Sequence, residues 1–470
     1  MMEREVIRLE QFRQLRKEIR GSEKYLVVGI DVAKDKHDAY LGTPTGKALY
    51  RRLIFENTMD GFEKLLLQVQ AVQVQHSLTK VVFGMEPTAN YHKPLGEFLI
   101  NKEHTVVLVA PESVKKNRSL LDGRWDKHDG KDCRNVADLI SQGKCLYYEY
   151  PCSELRDLRN LLSFKRKLKK LEHALRMRIR NHLVAQYFPE LDQYCRWGEH
   201  EGLAMVRWCL DPAVVAELPY SELLTRLHTQ GRTVAQQQRL SAVWQKASTS
   251  IGCRFGPSVE FEGRMMVKLL KDVRQTISDT EDKIKQVCLK FKEYPCLLSI
   301  PGFGPSLSAI VLGAIGNPWR FSNGPQVLKT VGLDLSASRS GKSINGSPSI
   351  SKKGKAELRY ALYQAALVAS SRDKYFVVYF TNQLRGREKE KGIKTKKRVK
   401  LAAKMLMIAW SLMKKNESFD PRYLTSQSLH EISRKPIDSG KGGIPRLARM
   451  ENVACRANTE VDSGPSTRSI

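Results

Sequence analysis

From Tyr25 the chain reads YLVVGIDVAKDKHDAYLGTPTGKALYRRLIFENT, three apolar stretches separated by polar turns, which is the pattern of a β-meander. Two more apolar runs, KVVFGME at 80–86 and TVVLVA at 105–110, have the length and composition of buried strands. Helical patterns at 62–74 and 90–102 precede and separate them, and a further helix at about 130–142 closes the region. Strands first, then strands alternating with helices, predict an α/β or α+β domain whose mixed sheet ends near residue 148.

The remainder is helical in pattern. Leu155, Leu158, Leu162, Leu168, Leu171, Leu175, Ile179 and Leu183 recur mostly at three- and four-residue spacing. Residues 153–183 hold ten Lys/Arg against three acids, so this helix is also strongly basic. A second long pattern at 263–292 carries Met266, Leu269, Leu270, Val273, Ile277, Ile284 and Val287. The two fit an antiparallel coiled-coil arm, or two ordinary core helices of one bundle. Between them, residues 190–260 with Trp197, Trp208 and Trp244 read as an inserted helical subdomain, and further helices are expected at 356–370 and 399–414. After about residue 434 Ser, Gly, Pro, Arg and Asn dominate, which predicts a disordered tail. The expected class is α/β plus α. Its parts are an extension 1–24, a sheet domain 25–150, a helical arm with its insert 151–293, a helical domain 294–415 and a basic tail 416–470.

With 79 Lys+Arg against 50 Asp+Glu, the net charge of +29 on a chain with 41% hydrophobic residues points to a folded protein that meets a polyanion. No run of about eighteen apolar residues occurs, and the charged first twenty residues lack the apolar core of a secretory signal, so a cytoplasmic protein without a membrane partner is expected. Nine cysteines without a Cys-x-x-Cys pair suggest neither a zinc ribbon nor a disulfide framework, and most read as small core residues.

Asp31 follows the strand YLVVGI directly, and Glu86 ends KVVFGM, so both carboxylates sit at strand ends. Asp129 and Asp132, three residues apart at the start of a helix, share one helical face near its N-terminus. Four such acids can hold two Mg²⁺ ions, because hard cations take carboxylate oxygens and a pair of them can clamp the attacking and leaving oxygens of phosphoryl transfer. A lone Asp after a strand is usually a turn residue; the ordered set is what suggests more. Asp126 offers a second Asp-x-x-Asp with Asp129, but CRNVADLI starts a helix right after Asp132, so Asp126 and His128 are assigned to the preceding loop.

In the C-terminal half, IPGFGPSLSAIVLGAIG places Gly302 and Gly304 in a tight turn before a helix, a geometry suited to a phosphate backbone or to an ordinary helical core. Further on, VGLDLSASRSGKSINGSPSISKKGKAELRYALYQAAL joins an apolar strand, a Ser/Gly loop, basic residues and a helix. On residue types alone such a loop is a flexible surface segment. A serine in it becomes a phosphoryl-transfer nucleophile only where a base or positive charge activates it. The candidates are Ser336, Ser338, Ser340 and Ser343, with Arg339, Lys342, Lys352, Lys353 and Arg359 supplying charge. Residues 384–404, ten Lys/Arg against two acids, include Lys396, Lys397 and Arg398 and read either as a grip on nucleic acid or as a solvated loop before a core helix.

The order strand-Asp, strand-Glu, Asp-x-x-Asp resembles a RuvC or ribonuclease-H-like nuclease core. Together with PGFGP, GLDLSASRSGKSINGSPSISKKG and the LRYALYQAAL helix, it closely resembles the DEDD-type transposases of the insertion-sequence one-ten family, relatives of Piv-type DNA invertases, over roughly residues 25–145 and 294–415. The resemblance implies a RuvC-like domain, a coiled-coil arm and a transposase domain acting together as a site-specific recombinase. It carries the catalytic and Mg²⁺-binding acids onto Asp31, Glu86, Asp129 and Asp132, and the nucleophile onto Ser340, through which a covalent 5′-phosphoserine link to DNA would form. It further implies donor and target DNA, a structured bridge RNA, an active site shared between subunits of a dimer or tetramer, and a nucleoid-associated bacterial enzyme. Two other readings remain: a RuvC-like nuclease or resolvase using metal-activated water, and a non-catalytic nucleic-acid scaffold. No Gly-x-x-x-x-Gly-Lys-Ser/Thr loop is present, so no nucleotide cofactor is expected.

Overall fold

The computed structural model describes residues 2–122, 129–198, 200–227, 233–254, 256–336, 339–340, 344–345 and 349–425. The expectations for Asp126, His128, Ser338, Lys342, Ser343 and nearly all of the tail lie outside these residues. The chain divides into two compact units, residues 1–152 and 153–470.

The first unit opens with helix α1 (Met2–Glu18). A six-stranded sheet follows, made of β1 (Tyr25–Asp31), β2 (Lys36–Gly42), β3 (Ala48–Glu56), β4 (Lys80–Met85), β5 (Thr105–Leu108) and β6 (Leu146–Tyr147). The order is β3-β2-β1-β4-β5-β6, with β1, β4 and β5 mutually parallel and the other pairings antiparallel. Strand β1 is buried along almost its whole length, because helices cover both faces of the sheet. Leu26, Val28 and Ile30 pack with Phe62, Leu65 and Val69 of α2 (Met59–Gln75) and Leu95 and Leu99 of α3 (His92–Asn101). Tyr25 and Val27 face the other way. They meet Leu15 of α1 and Ile19 just after it, Val114 of α4 (Pro111–Asp122), and Cys133, Val136, Ala137 and Ile140 of α5 (Asp129–Ser141).

Two glycines seat α5. A Cβ on Gly29 would lie 2.2 Å from the Cys133 carbonyl oxygen and 2.6 Å from the Ala137 nitrogen, and one on Gly84 would lie 2.2 Å from Cδ1 of Ile140. The helix backbone therefore rests directly on β1, and its Ile140 side chain on the bare backbone of β4.

The expected mixed sheet is present, with β6 as an additional edge strand, and α1 and α4 were not anticipated. α1 exposes Val6 and Ile7 and buries few apolar residues, and α4 buries Val114 while its Leu120 is exposed, so neither carries a strong periodic signal.

The second unit is mainly helical. Its first helix, α6 (Ser153–Arg178), passes through a π-helical turn (Ile179–Val184) into α7 (Ala185–Tyr187). Then come α8 (His200–Cys209), α9 (Pro212–Glu217), α10 (Tyr220–Arg226), α11 (Val234–Ala247) and the long α12 (Pro257–Cys288). Ion pairs Lys165–Glu281, Arg274–Glu172 and Arg178–Glu262 run in opposite chain directions, so α6 and α12 pack antiparallel. Residues of α8, α10 and α11 share one core with Ile179, Leu183, Val267 and Leu270. That core sits where α6 ends and α12 begins.

The chain continues through α13 (Glu293–Leu298), α14 (Pro305–Ile315), α15 (Gly324–Val331), α16 (Ala356–Arg372), α17 (Lys374–Leu384), α18 (Ile393–Lys415) and α19 (Arg422–Thr425). Between α15 and α16 lie four two-residue strands, β7 (Leu335–Ser336), β8 (Arg339–Ser340), β9 (Ile344–Asn345) and β10 (Ser349–Ile350). Gly302, at φ +86°, turns the chain between α13 and α14, where a Cβ would meet the Ala365 carbonyl oxygen at 2.8 Å. Among the described residues no helix is long and apolar enough to cross a membrane.

Replacing Gly29 by alanine is expected to lift α5 from β1 and to cost about 1–3 kcal/mol, read as a lowered urea midpoint at unchanged slope. Burial also holds the imidazoles of His37, His92 and His104 below their ordinary pKa. The unfolded chain then takes up these protons first, so this contribution to stability is present above about pH 6.5 and is lost as pH falls through that value toward the folded pKa values. Urea titrations at pH 7 and 5.5 measure this as a lower midpoint at pH 5.5, absent from a variant with all three histidines replaced.

Candidate active site

The strand register decides which acids come together. β1 and β4 pair in parallel with Ile30 opposite Met85, so Asp31 and Glu86 are the next position on each chain. Alternation gives them the same side. Val27 and Gly29 face α5, as do Val82 and Gly84, and Asp31 and Glu86 continue those two rows.

Helix α5 brings the third acid. Asp132 lies in its first turn, buried, immediately before the Cys133 carbonyl that touches Gly29. Asp129 is the first residue of the same helix; its side chain lies outside the described ones. The Cys133 thiol is pushed up to about 12, first by burial and then by the charge of Asp38, with Asp31 contributing further. Both carboxylates are thus within electrostatic reach of the α5 N-terminal turn.

Asp38 was not singled out from the sequence. It stands opposite Asp31 in the β1–β2 pairing, on the same side as Tyr40 and the α5 core, and is buried. The signal lay in the meander: once β1 and β2 are taken as an antiparallel hairpin, alternation places a second acid beside Asp31. Like charges directly opposite are unfavourable, and Asp38 is offset by an ion pair with Arg52 on β3 at 2.5 Å.

Arg118 was also missed. From α4 it grips Asp132 with two bonds, Nε to Oδ1 at 2.8 Å and a terminal nitrogen to Oδ2 at 3.1 Å. Such a fork satisfies a nearly buried carboxylate. Beside it, Asn117 bonds Asn135 at 2.8 Å and Asp138 at 2.7 Å, fixing α4 against α5. These acids supply only hard oxygen donors, which suits a divalent cation of the Mg²⁺ type. Among the described residues, however, no three His, Cys, Asp or Glu side chains converge as a ready metal cage. The structure brings Asp31 and Glu86 to adjacent strand ends and leaves Asp132 in the arginine fork.

The serine segment lies in the second unit. β7 pairs with β10 and β8 with β9, so the backbone forms nested antiparallel pairs with Ser340 opposite Ile344. Side chains from 336 to 348, Ser336, Arg339 and Ser340 among them, lie outside the described ones. The base of this segment is well defined. Gly332 caps α15 in the left-handed conformation at φ +72°, where a Cβ would meet the backbone of Lys352 and Lys353 at 2.8 Å. Arg359 donates to the Val331 carbonyl at 2.8 Å and to that of Lys352 at 3.4 Å, so its guanidinium ties α16 to both ends of the segment. Lys352 and Lys353 are exposed.

Lys396, Lys397 and Arg398 fall in the first turns of α18 rather than in a loop. Lys396 is exposed, and Arg398 lies over the Phe380 ring at 5.3 Å. Partial burial, then the Lys400 and Arg387 charges, pull the Lys397 ammonium below its ordinary value.

Two carboxylates at neighbouring strand ends beside the first turn of a helix, in a chain of net charge +29, are the features of this unit that fit a partner rich in phosphates. Residues 28–189 match the DEDD transposase model of IS110 elements, and residues 294–380 match the model described as transposase of the IS116/IS110/IS902 family. The chain is 24% identical over 397 residues to the pilin gene-inverting protein of Moraxella lacunata, covering 84% of this chain and 98% of that one. The pilin gene-inverting protein of Moraxella bovis gives 24% over 398 residues with the same coverage. This chain belongs to the IS110 family of transposases, and it is an enzyme acting on DNA.

Replacing Arg118 by methionine is expected to strand the Asp132 carboxylate and lower stability by about 1–3 kcal/mol. In a double-mutant cycle with Asp132→Asn, urea unfolding should return a coupling of comparable size, and additive losses would separate the two residues.

Proposed function

We propose that this protein cuts and rejoins DNA strands through a covalent link to Ser340 in its second unit, with the acids of an N-terminal unit of the ribonuclease-H-like class holding the metal. The observation that carries the reading is the in-register placement of Asp31 and Glu86 on the side of the sheet that α5 covers. The DEDD family match over the same segment supports it. Asp31, Glu86, Asp129 and Asp132 would hold Mg²⁺, which supplies charge neutralisation at the scissile phosphate.

In this reaction the Ser340 oxygen attacks phosphorus and gives up its proton. The bond from phosphorus to the 3′ oxygen breaks, leaving a 3′-hydroxyl and a 5′-phosphoserine ester. Attack by a 3′-hydroxyl on that ester restores the serine and a phosphodiester, so no nucleotide cofactor is needed. Arg339, Lys342, Lys352, Lys353, Lys396, Lys397 and Arg398 are the cations assigned to the phosphates, and Arg359 positions the segment that bears Ser340.

Placement of the acids and Ser340 in different units is compatible with a site assembled between subunits of a dimer or tetramer. A structured bridge RNA is the proposed guide to donor and target DNA. The positive charge suits RNA as well as DNA. Inversion or transposition is the expected outcome, in keeping with the relatives' names.

Incubation with Mg²⁺ and labelled DNA, followed by a denaturing gel, is expected to show a protein–DNA adduct that Ser340→Ala abolishes. Products ending in free 5′-phosphates, with no adduct, would instead establish hydrolysis by water. Asp31→Asn and Glu86→Gln are each expected to lower strand transfer about 100-fold or more.

A further inference from the structure

In the second unit, α14 lies along α6 in the opposite direction. They touch at Gly313, where a Cβ would meet Leu162 at 2.7 Å and whose carbonyl accepts from Arg159 Nε at 2.7 Å. α14 begins at Pro305, next to Lys165, whose Nζ donates to Ser306 Oγ at 2.9 Å. α6 runs on beyond that point to Arg178. This leaves a cleft of about 570 Å³ with Leu162 and Ile310 at its apolar side.

Five basic side chains border the cleft: Lys165, Arg166, Lys169, Lys170 and His173, at the i, i+4 and i+8 spacing of one helix face. Two are engaged by acids, Lys165 by Glu281 and Lys169 by Glu172. Arg166 and Lys170 are exposed and have no acidic partner among the described residues. Like charges four residues apart destabilise a bare helix, and Arg166 and Lys170 stand four apart with that repulsion not offset by an acid among the described residues. Glu357 is the one carboxylate on the lining, and no Phe, Tyr or Trp lines it to stack a base. From Lys165 to His173 the helix rises about 12 Å, the span of three to four phosphates on one strand. The first turn of α14 borders the same cleft without a side-chain cap.

We propose that this cleft between α6 and the start of α14 holds the sugar–phosphate backbone of a nucleic-acid strand, with Arg166 and Lys170 as its phosphate contacts. The proposal rests on the family's action on DNA and is independent of the phosphoserine chemistry.

The test uses the full chain carrying Ser340→Ala, with a chelator, so that no strand is cut. Binding to a duplex DNA and to an RNA of the same sequence is measured against salt. The combined Arg166→Gln and Lys170→Gln variant is expected to reduce the logarithmic salt slope by about 2 and to weaken binding at least about tenfold at 0.1 M salt, for DNA, RNA or both. The nucleic acid affected identifies which strand occupies the cleft. Lys167→Gln, an exposed cation of α6 outside the lining, is the control for loss of general charge. An unchanged slope on both nucleic acids overturns the proposal, as does an equal loss from Lys167→Gln; an unchanged thermal midpoint confirms that the variants are folded.

Discussion

The close approach of α5 to the sheet is the contact on which the rest of the first unit depends. Gly29 lets the backbone of α5 lie against β1, and Gly84, on the neighbouring parallel strand, makes room for the Ile140 side chain of the same helix. This brings the first turn of α5 to the ends of β1 and β4, where Asp31 and Glu86 sit. The partial positive charge of a helix N-terminus favours carboxylates there. Cys133 registers the crowding, since its thiol is forced up by burial and by two nearby acids.

Charge is divided between the units in a way that the total of +29 conceals. In the first unit, buried acids are answered by single arginines, Asp132 by Arg118 and Asp38 by Arg52. The Arg118 fork on Asp132 also ties α4 to α5. In the second unit the cations stand on helix faces: along α6 beside α14 and on the first turns of α18. The basic stretch that precedes LAAKMLMIAW is therefore largely helix, with Ile393 and Leu401 buried on one side and lysines on the other.

Strands β1, β4 and β5 were legible because strands covered on both faces write themselves as apolar runs, and β2 and β3 because polar turns separate the stretches of the meander. α1 and α4 bury too few residues to produce a clear period, and a two-residue β6 is below what pattern can resolve. Asp31 and Glu86 could be singled out from their place after apolar runs. Arg118 could not, because its partner is fourteen residues away on another helix and no spacing rule links them. Arg359 looked like one more cation near a serine loop. Its bonds to Val331 and Lys352 carbonyls follow from the closure of that segment, which composition does not encode.

By itself the sequence determined the elements and the chemistry available to them: a sheet first and helices after, acids at strand ends, a serine among cations, and an excess of positive charge. These depend on neighbours along the chain, through periodicity and residue type. The tertiary structure decided which groups meet. Register set Asp31 beside Glu86 and opposite Asp38, two glycines fixed the depth of α5, Arg118 took hold of Asp132, and α14 began where the basic face of α6 continues. Such pairings depend on distances in space between residues far apart in the chain, and those exist only once the chain is folded.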